Sequence, residues 1–135
     1  KNPYVKKLYC EKDKTADYYI GSCQLTADGI AEIMLTAYPS LIIPPDESKW
    51  ISNINRDGDG NVLGLSVCGI RMSCEEFRSL FDIRSPSFDI SYTQRLYSFT
   101  TRGDGCNCGM SVYSALKLSE RGYSARQILN EFYNL

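Results

Sequence analysis

Thr101-Arg-Gly-Asp-Gly-Cys-Asn-Cys-Gly-Met-Ser-Val-Tyr-Ser-Ala115, followed by Arg121-Gly-Tyr-Ser124 and then by Ile128-Leu129 and Phe132-Tyr133, decides how this chain is read. Gly103, Gly105 and Gly109 lie just ahead of a helical apolar period. A backbone this free of side chains lets another surface approach closely at the start of a helix. The pattern predicts a helix from about Met110 to 120, with Met110, Tyr113, Ala115 and Leu116 toward one face. Arg121-Gly122 stops it as a C-cap, and Ser124-x-x-Gln127 is a capping box opening a last helix to about Tyr133. The chain is thus expected to end in a helical pair.

Upstream, the period changes from helical to alternating. Residues 88–91 and 96–100 predict one hairpin. Residues 50–55 and 62–67 predict another, joined through Asp57-Gly-Asp-Gly-Asn61, the strongest turn signal in the chain. Residues 70–72 are expected to continue that sheet beyond a kink at Gly69. Ser73-x-x-Glu76 is a capping box for a helix to about Phe81 that turns Phe77 and Leu80 inward. Residues 18–25 predict a strand. Thr26 then caps a helix to about Leu35 with Ile30, Ile33 and Met34 on one face, kept short by Gly29 at a cost of about 1 kcal/mol relative to alanine. Pro39, Pro44 and Pro45 make residues 38–48 an exposed connection, and residues 1–17 an irregular lead-in. The sum is a single α+β domain spanning 1–135, built of short antiparallel strands and hairpins with a C-terminal helical pair.

Bulk properties exclude several classes of partner. Fifteen Lys plus Arg stand against 16 Asp plus Glu, so no net field attracts nucleic acid or an anionic membrane. No apolar run reaches the length of a bilayer span. Histidine is absent, which rules out a Ser-His-Asp triad or a Cys-His dyad within these residues and leaves proton transfer to carboxylates. The cysteines at 10, 23, 68, 74, 106 and 108 allow fifteen pairings. Cys23, Cys68 and Cys74 read as small buried hydrophobes or as disulfide partners. Asp57-x-Asp59-x-Asn61 begins like a calcium loop, but Val62 and Cys68 stand where glycine and a bidentate glutamate are needed, so a plain turn is expected.

The C-terminal stretch resembles the signature of the stage II sporulation protein D family, a cell-wall domain also found in amidase enhancers. The family pattern is Gly-x-Gly-His-Gly-Val-Gly-Met-Ser-Gln-Tyr/Trp-Gly-Ala, then a Gly-Tyr turn and an Ile-Leu-x-x-Tyr-Tyr helix. Cys106 stands in place of His, Asn107 of Gly, Cys108 of Val, Val112 of Gln and Ser114 of Gly. Residues 60–90, with Arg84-Ser85 and Phe88, are similar to the family's hairpin, short helix and Arg-Ser-Thr-x-Phe strand. Asn2-Pro-Tyr-Val-Lys-Lys7 is similar to a Pro-Tyr-Leu-Lys-Ser-Val run found mid-domain. The resemblance covers nearly the whole chain but only the C-terminal half or so of the family domain.

The resemblance implies a bacterial, extracytoplasmic or cell-envelope protein of sporulation or engulfment type. Its expected ligand is peptidoglycan glycan strands, and its expected protein partners are other cell-wall hydrolases or the family's N-terminal segment. The glutamate associated with glycan cleavage lies outside the half matched here, so a binding portion is expected rather than a complete lytic transglycosylase, with no cofactor. The glycan-binding candidates are Gly103, Gly105, Gly109, Ser111, Tyr113, Arg78 and Arg84. Asp104 is the candidate acid or sugar-hydroxyl acceptor, with an Asx turn as its plainer role. Ser111 also reads as a helix cap and Tyr113 as a packing residue, while ion pairs within the fold would equally account for Arg78 and Arg84. Cys106 and Cys108 are weak metal candidates, since two thiolates need further ligands to close a zinc site. The rival readings are an enzyme whose acid is Asp104 or comes from another segment, and an interaction module without sugar binding.

Overall fold

The computed structural model describes residues 11–17, 19–105 and 110–133. Alternating β-favouring residues form two three-stranded antiparallel sheets. The first sheet orders β1 (Ile20–Thr26), β6 (Leu96–Arg102) and β5 (Phe88–Thr93), with β6 central. The second orders β2 (Ile51–Arg56), β3 (Val62–Val67) and β4 (Ile70–Ser73), with β3 central. Among the described residues, four α-helices complete an α+β fold: α1 (Ala27–Ala37), α2 (Cys74–Phe81), α3 (Val112–Glu120) and α4 (Ala125–Phe132).

The apolar core lies where α2 meets both sheets. Phe77 has no exposed surface and packs its ring 4.9 Å from Phe81, 5.6 Å from Phe88 and 5.9 Å from Phe99, centroid to centroid. Ala27, Ile30 and Met34 enter the same cluster from α1, and Leu65 and Val67 from β3. The α1 residues recur at helical spacing, which is how a helix buries one face, whereas β3, central in its sheet, is buried on both faces apart from Leu63.

Local signals placed most helix ends. Thr26 Oγ1 accepts from Gly29 N at 3.1 Å, and the Ser73/Glu76 and Ser124/Gln127 boxes are closed in both directions. Replacing Ser73 with alanine is expected to lower stability by about 1 kcal/mol in a denaturant titration, because Glu76 N loses its acceptor.

Several expectations need correction. Gly29 does not keep α1 short; the helix runs on to Ala37 because Ala27, Ile30 and Met34 are fully buried, and tertiary packing outweighs a single propensity penalty. Residues 70–73 do continue the sheet, as its third strand, but the kink expected at Gly69 is a full chain reversal. Cys68 and Gly69 take φ of 49° and 83° and fold β4 back against β3, with Val67 opposite Ile70. Paired positive φ angles are what a tight hairpin turn requires. Cys68 therefore sits in a turn, though still buried, with its N–H donated to Trp50 O at 2.7 Å. Helix α3 starts at Val112 instead of Met110 and leaves Leu116 53 % exposed; Ser114 is its buried position. Residues 11–15 form a 3-10 turn within the stretch read as irregular.

The proline-rich connection is anchored rather than loose. Trp50 Nε1 donates to Pro44 O at 2.7 Å, and a short 3-10 turn, Glu47–Lys49, follows. Glu47 accepts from Arg95 Nε at 3.0 Å and Nη2 at 2.8 Å and from the Tyr92 hydroxyl at 3.1 Å, while the Tyr97 hydroxyl donates to its carbonyl. The Arg95 and Tyr92 hydrogen bonds hold the Glu47 carboxyl below the ordinary glutamate range. A lowered folded-state pKa gives stability that is complete above the unfolded value and disappears as pH falls through the folded one. Melting temperature should therefore drop on acidification below the ordinary glutamate range, and Glu47→Gln should make that acid limb shallower.

Candidate functional site

The loop after α2 is fixed from both sides. Asp82 closes the helix in the left-handed region at φ 55°. Arg78 then reaches over the turn, donating from Nε to Ile83 O at 3.0 Å and from Nη2 to Arg84 O at 2.9 Å. Ser85 is fully buried; its hydroxyl donates to Arg102 O and accepts from Ser87 N. Arg102 N donates to Ser87 O at 2.8 Å. The Arg84-Ser85 segment is thereby locked to the end of β6, where the glycine cluster begins.

The glycines make backbone contacts there. Gly105 N donates to Arg84 O at 2.9 Å and Gly103 N to Tyr19 O at 2.6 Å. Their φ angles are 113° and 77°, a conformation in which an L side chain is strained. Arg84 O thus accepts from both Arg78 and Gly105, joining α2 to the cluster through one carbonyl.

The side chain of Arg84 turns the other way, into a cleft of about 250 Å³ that it shares with Gly21, Ser22, Cys23, Asp82 and Thr101. Its Nε donates to Thr101 Oγ1 at 3.2 Å. The guanidinium lies over the bare backbone of Gly21, where a Cβ would stand 2.5 Å from its carbon. Gly21 and Thr101 are opposite one another in the β1–β6 register, so the sheet itself makes the seat. Burial and then the nearby Asp82 carboxylate push the Cys23 thiol up. The cleft combines a cation, a carboxylate and hydroxyls, the groups that recognise polyols and acidic sugars.

The α3 N-terminus carries the other candidates. Ser111 caps the helix, its Oγ accepting from Ser114 N at 3.0 Å. The same hydroxyl and that of Ser114 each donate to Asp13 Oδ1 at 2.6 Å. The Tyr113 hydroxyl is 3.2 Å from Thr15 Oγ1, and the Lys117 ammonium lies 5.6 Å from the Tyr113 ring centre. Met110 N donates to the Tyr133 hydroxyl at 3.1 Å, binding the start of α3 to the end of α4.

Asp104 is exposed on the loop between the two described glycines. Gly109, Cys106 and Cys108 lie outside the described residues. Cys23, Cys68 and Cys74 are free thiols, the latter two buried, and burial raises all three pKa values. In the Asp57–Asn61 turn, Asp57 Oδ1 accepts from Asp59 N at 2.8 Å and Asn61 N at 2.9 Å, and Oδ2 from Asn61 Nδ2 at 3.0 Å. Those oxygens serve the turn. Among the described residues no group of three or more His, Cys, Asp or Glu is placed to hold a metal, and no helix is long and apolar enough to cross a membrane.

Gly21, Ser22, Asp82, Thr101 and Asp13 escaped the sequence reading. Only Gly21 left a local signal, as a glycine inside an alternating strand, which marks close approach by another group. The chain matches no family model and no curated protein, so the cleft around Arg84 is interpreted from its own chemistry and from the motif beside it.

Proposed function

We propose that this chain binds the glycan strands of bacterial peptidoglycan at the Arg84 cleft, as the binding portion of a cell-envelope remodelling protein of stage II sporulation protein D type. One observation carries the reading: the two ends of Arg84 join the signature to a cleft, its carbonyl held by Gly105 and its guanidinium lining the cavity. The resemblance of 101–133 and 84–88 to the family supplies the ligand class. Drug-sized ligands occupy pockets of roughly 300–1,000 Å³, so a space of about 250 Å³ suits one sugar ring of a longer polymer.

A glycosidic acid needs its pKa raised, and among the described residues hydrogen bonds hold Asp46, Glu47, Asp57 and Glu76 below the ordinary carboxylate range, which suits none of these four to that role. Incubated with peptide-free glycan strands, the chain should release no 1,6-anhydro sugar above buffer. Release of that product, abolished by Asp104→Asn, would make Asp104 the acid and the protein a lytic transglycosylase. An interaction module is the second reading, favoured by Val112 and Leu116, one helical turn apart on α3 and 78 % and 53 % exposed. Sedimentation with purified peptidoglycan separates the two: binding that Arg84→Ala weakens supports the glycan reading, and no binding leaves the module.

A further inference from the structure

The Arg84 cleft holds two opposite charges that form no ion pair with each other. Asp82, which closes α2, takes φ 55° and ψ 44°, the left-handed region that helix ends most often give to glycine. Its exposed carboxylate lines the cleft with Arg84, Ser22 and Cys23. The Cys23 thiol registers that charge, being pushed up by burial first and by Asp82 second. Among the described residues the Asp82 carboxylate has no hydrogen-bond or ion-pair partner. The guanidinium is kept on its seat: Thr101, 3 % exposed, takes the hydrogen bond from its Nε, and Gly21 leaves the space in which it lies. An anion and an oriented cation thus face the same space of about 250 Å³.

We propose that the cleft selects a zwitterionic sugar, muramic acid whose nitrogen carries no acetyl group and whose lactyl carboxyl carries no peptide, with the ammonium at Asp82 and the carboxylate at Arg84. The inference rests on the glycan-binding reading and names the sugar that the same site takes. In muramic acid the nitrogen and the lactyl ether stand on neighbouring ring carbons, so a single ring offers both charges to a single cleft. The N-acetylated sugar keeps the carboxylate but offers Asp82 only a neutral amide, and a hydrogen bond between two charged groups is the stronger one. Glucosamine offers the ammonium and nothing for Arg84. Both charges of the cleft are answered only by the sugar that bears both.

The test compares binding of peptide-free glycan strands before and after removal of their N-acetyl groups, at a pH where the freed amines are protonated and the carboxyls ionised. Wild type should bind the deacetylated strands about 10-fold tighter, the scale of one charged hydrogen bond. Asp82→Asn should lose that preference and keep wild-type affinity for the acetylated strands; asparagine also tolerates the left-handed region, so the fold is retained. Glu75→Gln makes the same change of charge at an exposed position in the first turn of α2. It should keep the preference, which separates recognition from general attraction of a more cationic polymer. Chitosan, with ammonium groups and no carboxylate, should bind more weakly than the deacetylated strands. Equal binding of the two strands by wild type, a preference that survives Asp82→Asn or is lost in Glu75→Gln, or chitosan binding as tightly as the deacetylated strands would overturn the zwitterion site while leaving glycan binding intact. No binding of any strand would overturn both.

Discussion

Phe77→Ala is expected to destabilise the protein by about 3–5 kcal/mol, the range for removing a buried aromatic ring whose surroundings cannot close over the space. Phe77 is fully buried and meets Phe81, Phe88 and Phe99. These partners come from α2 itself, β5 and β6, so no single element can shift to fill the cavity. Domains of this size have a total stability of about 5–15 kcal/mol, so the variant should show a large loss in denaturant midpoint or fail to fold. Phe77→Leu, which keeps more of the volume, should lose much less. A Phe77→Ala protein that melts with wild type would mean that the core is not centred on α2.

Gly21→Val should have the largest effect on binding and a small effect on stability. A Cβ at this position meets the Arg84 guanidinium at 2.5 Å, and the atoms it meets are the far end of a flexible side chain. Arg84 can swing out instead of straining the backbone, and valine suits a strand. The melting temperature should change little. The cation, however, leaves the cleft and Thr101, so affinity for glycan strands should fall about 10-fold or more, in line with loss of a charged hydrogen-bonding group worth about 1.5–3 kcal/mol. Unchanged binding would remove Arg84 from the site, whereas a collapse in stability would make Gly21 a folding residue.

The sequence announced these features unequally, and the reason is range. The capping boxes at Ser73 and Ser124 and the turn at Asp57 connect residues three or four positions apart, so their chemistry is visible in a short window. The β3–β4 turn is equally local: residues 70–72 are legible as part of the sheet, but a glycine after a cysteine in an apolar run resembles a kink, whereas both φ angles are positive and the chain reverses. On α3 the apolar period suggested Leu116 as an inward residue. Its buried position is instead Ser114, whose hydroxyl donates to the Asp13 carboxylate across 101 positions of chain. The Arg84 seat has the same character: Thr101 is 17 positions away, and Gly21 enters only through the β1–β6 register. Motif residues could be named from sequence, but the groups that hold or cover them come from elements brought together by the fold.

Arg78 and Arg84 illustrate how identical side chains separate once placed. Two arginines on either side of the Phe81 to Ile83 turn were equal candidates in the motif. Arg78 donates to the carbonyls of Ile83 and Arg84 and shapes the loop, whereas Arg84 lines the cleft. Arg78→Lys should consequently disturb stability more than recognition, because a lysine cannot reproduce donation from two fixed nitrogens. Comparing its denaturant midpoint with its affinity for glycan strands reads the two effects separately.

The most direct measurement is a titration of the isotopically labelled protein with peptide-free glycan strands, followed by amide and arginine side-chain resonances. Progressive shifts are expected at Gly21, Ser22, Arg84 Nε, Thr101, Gly103 and Gly105, with residues of the β2–β4 sheet unaffected. Shifts confined to that sheet or to the exposed Val112 and Leu116 face, or no shifts at saturating glycan, would contradict binding at the Arg84 cleft.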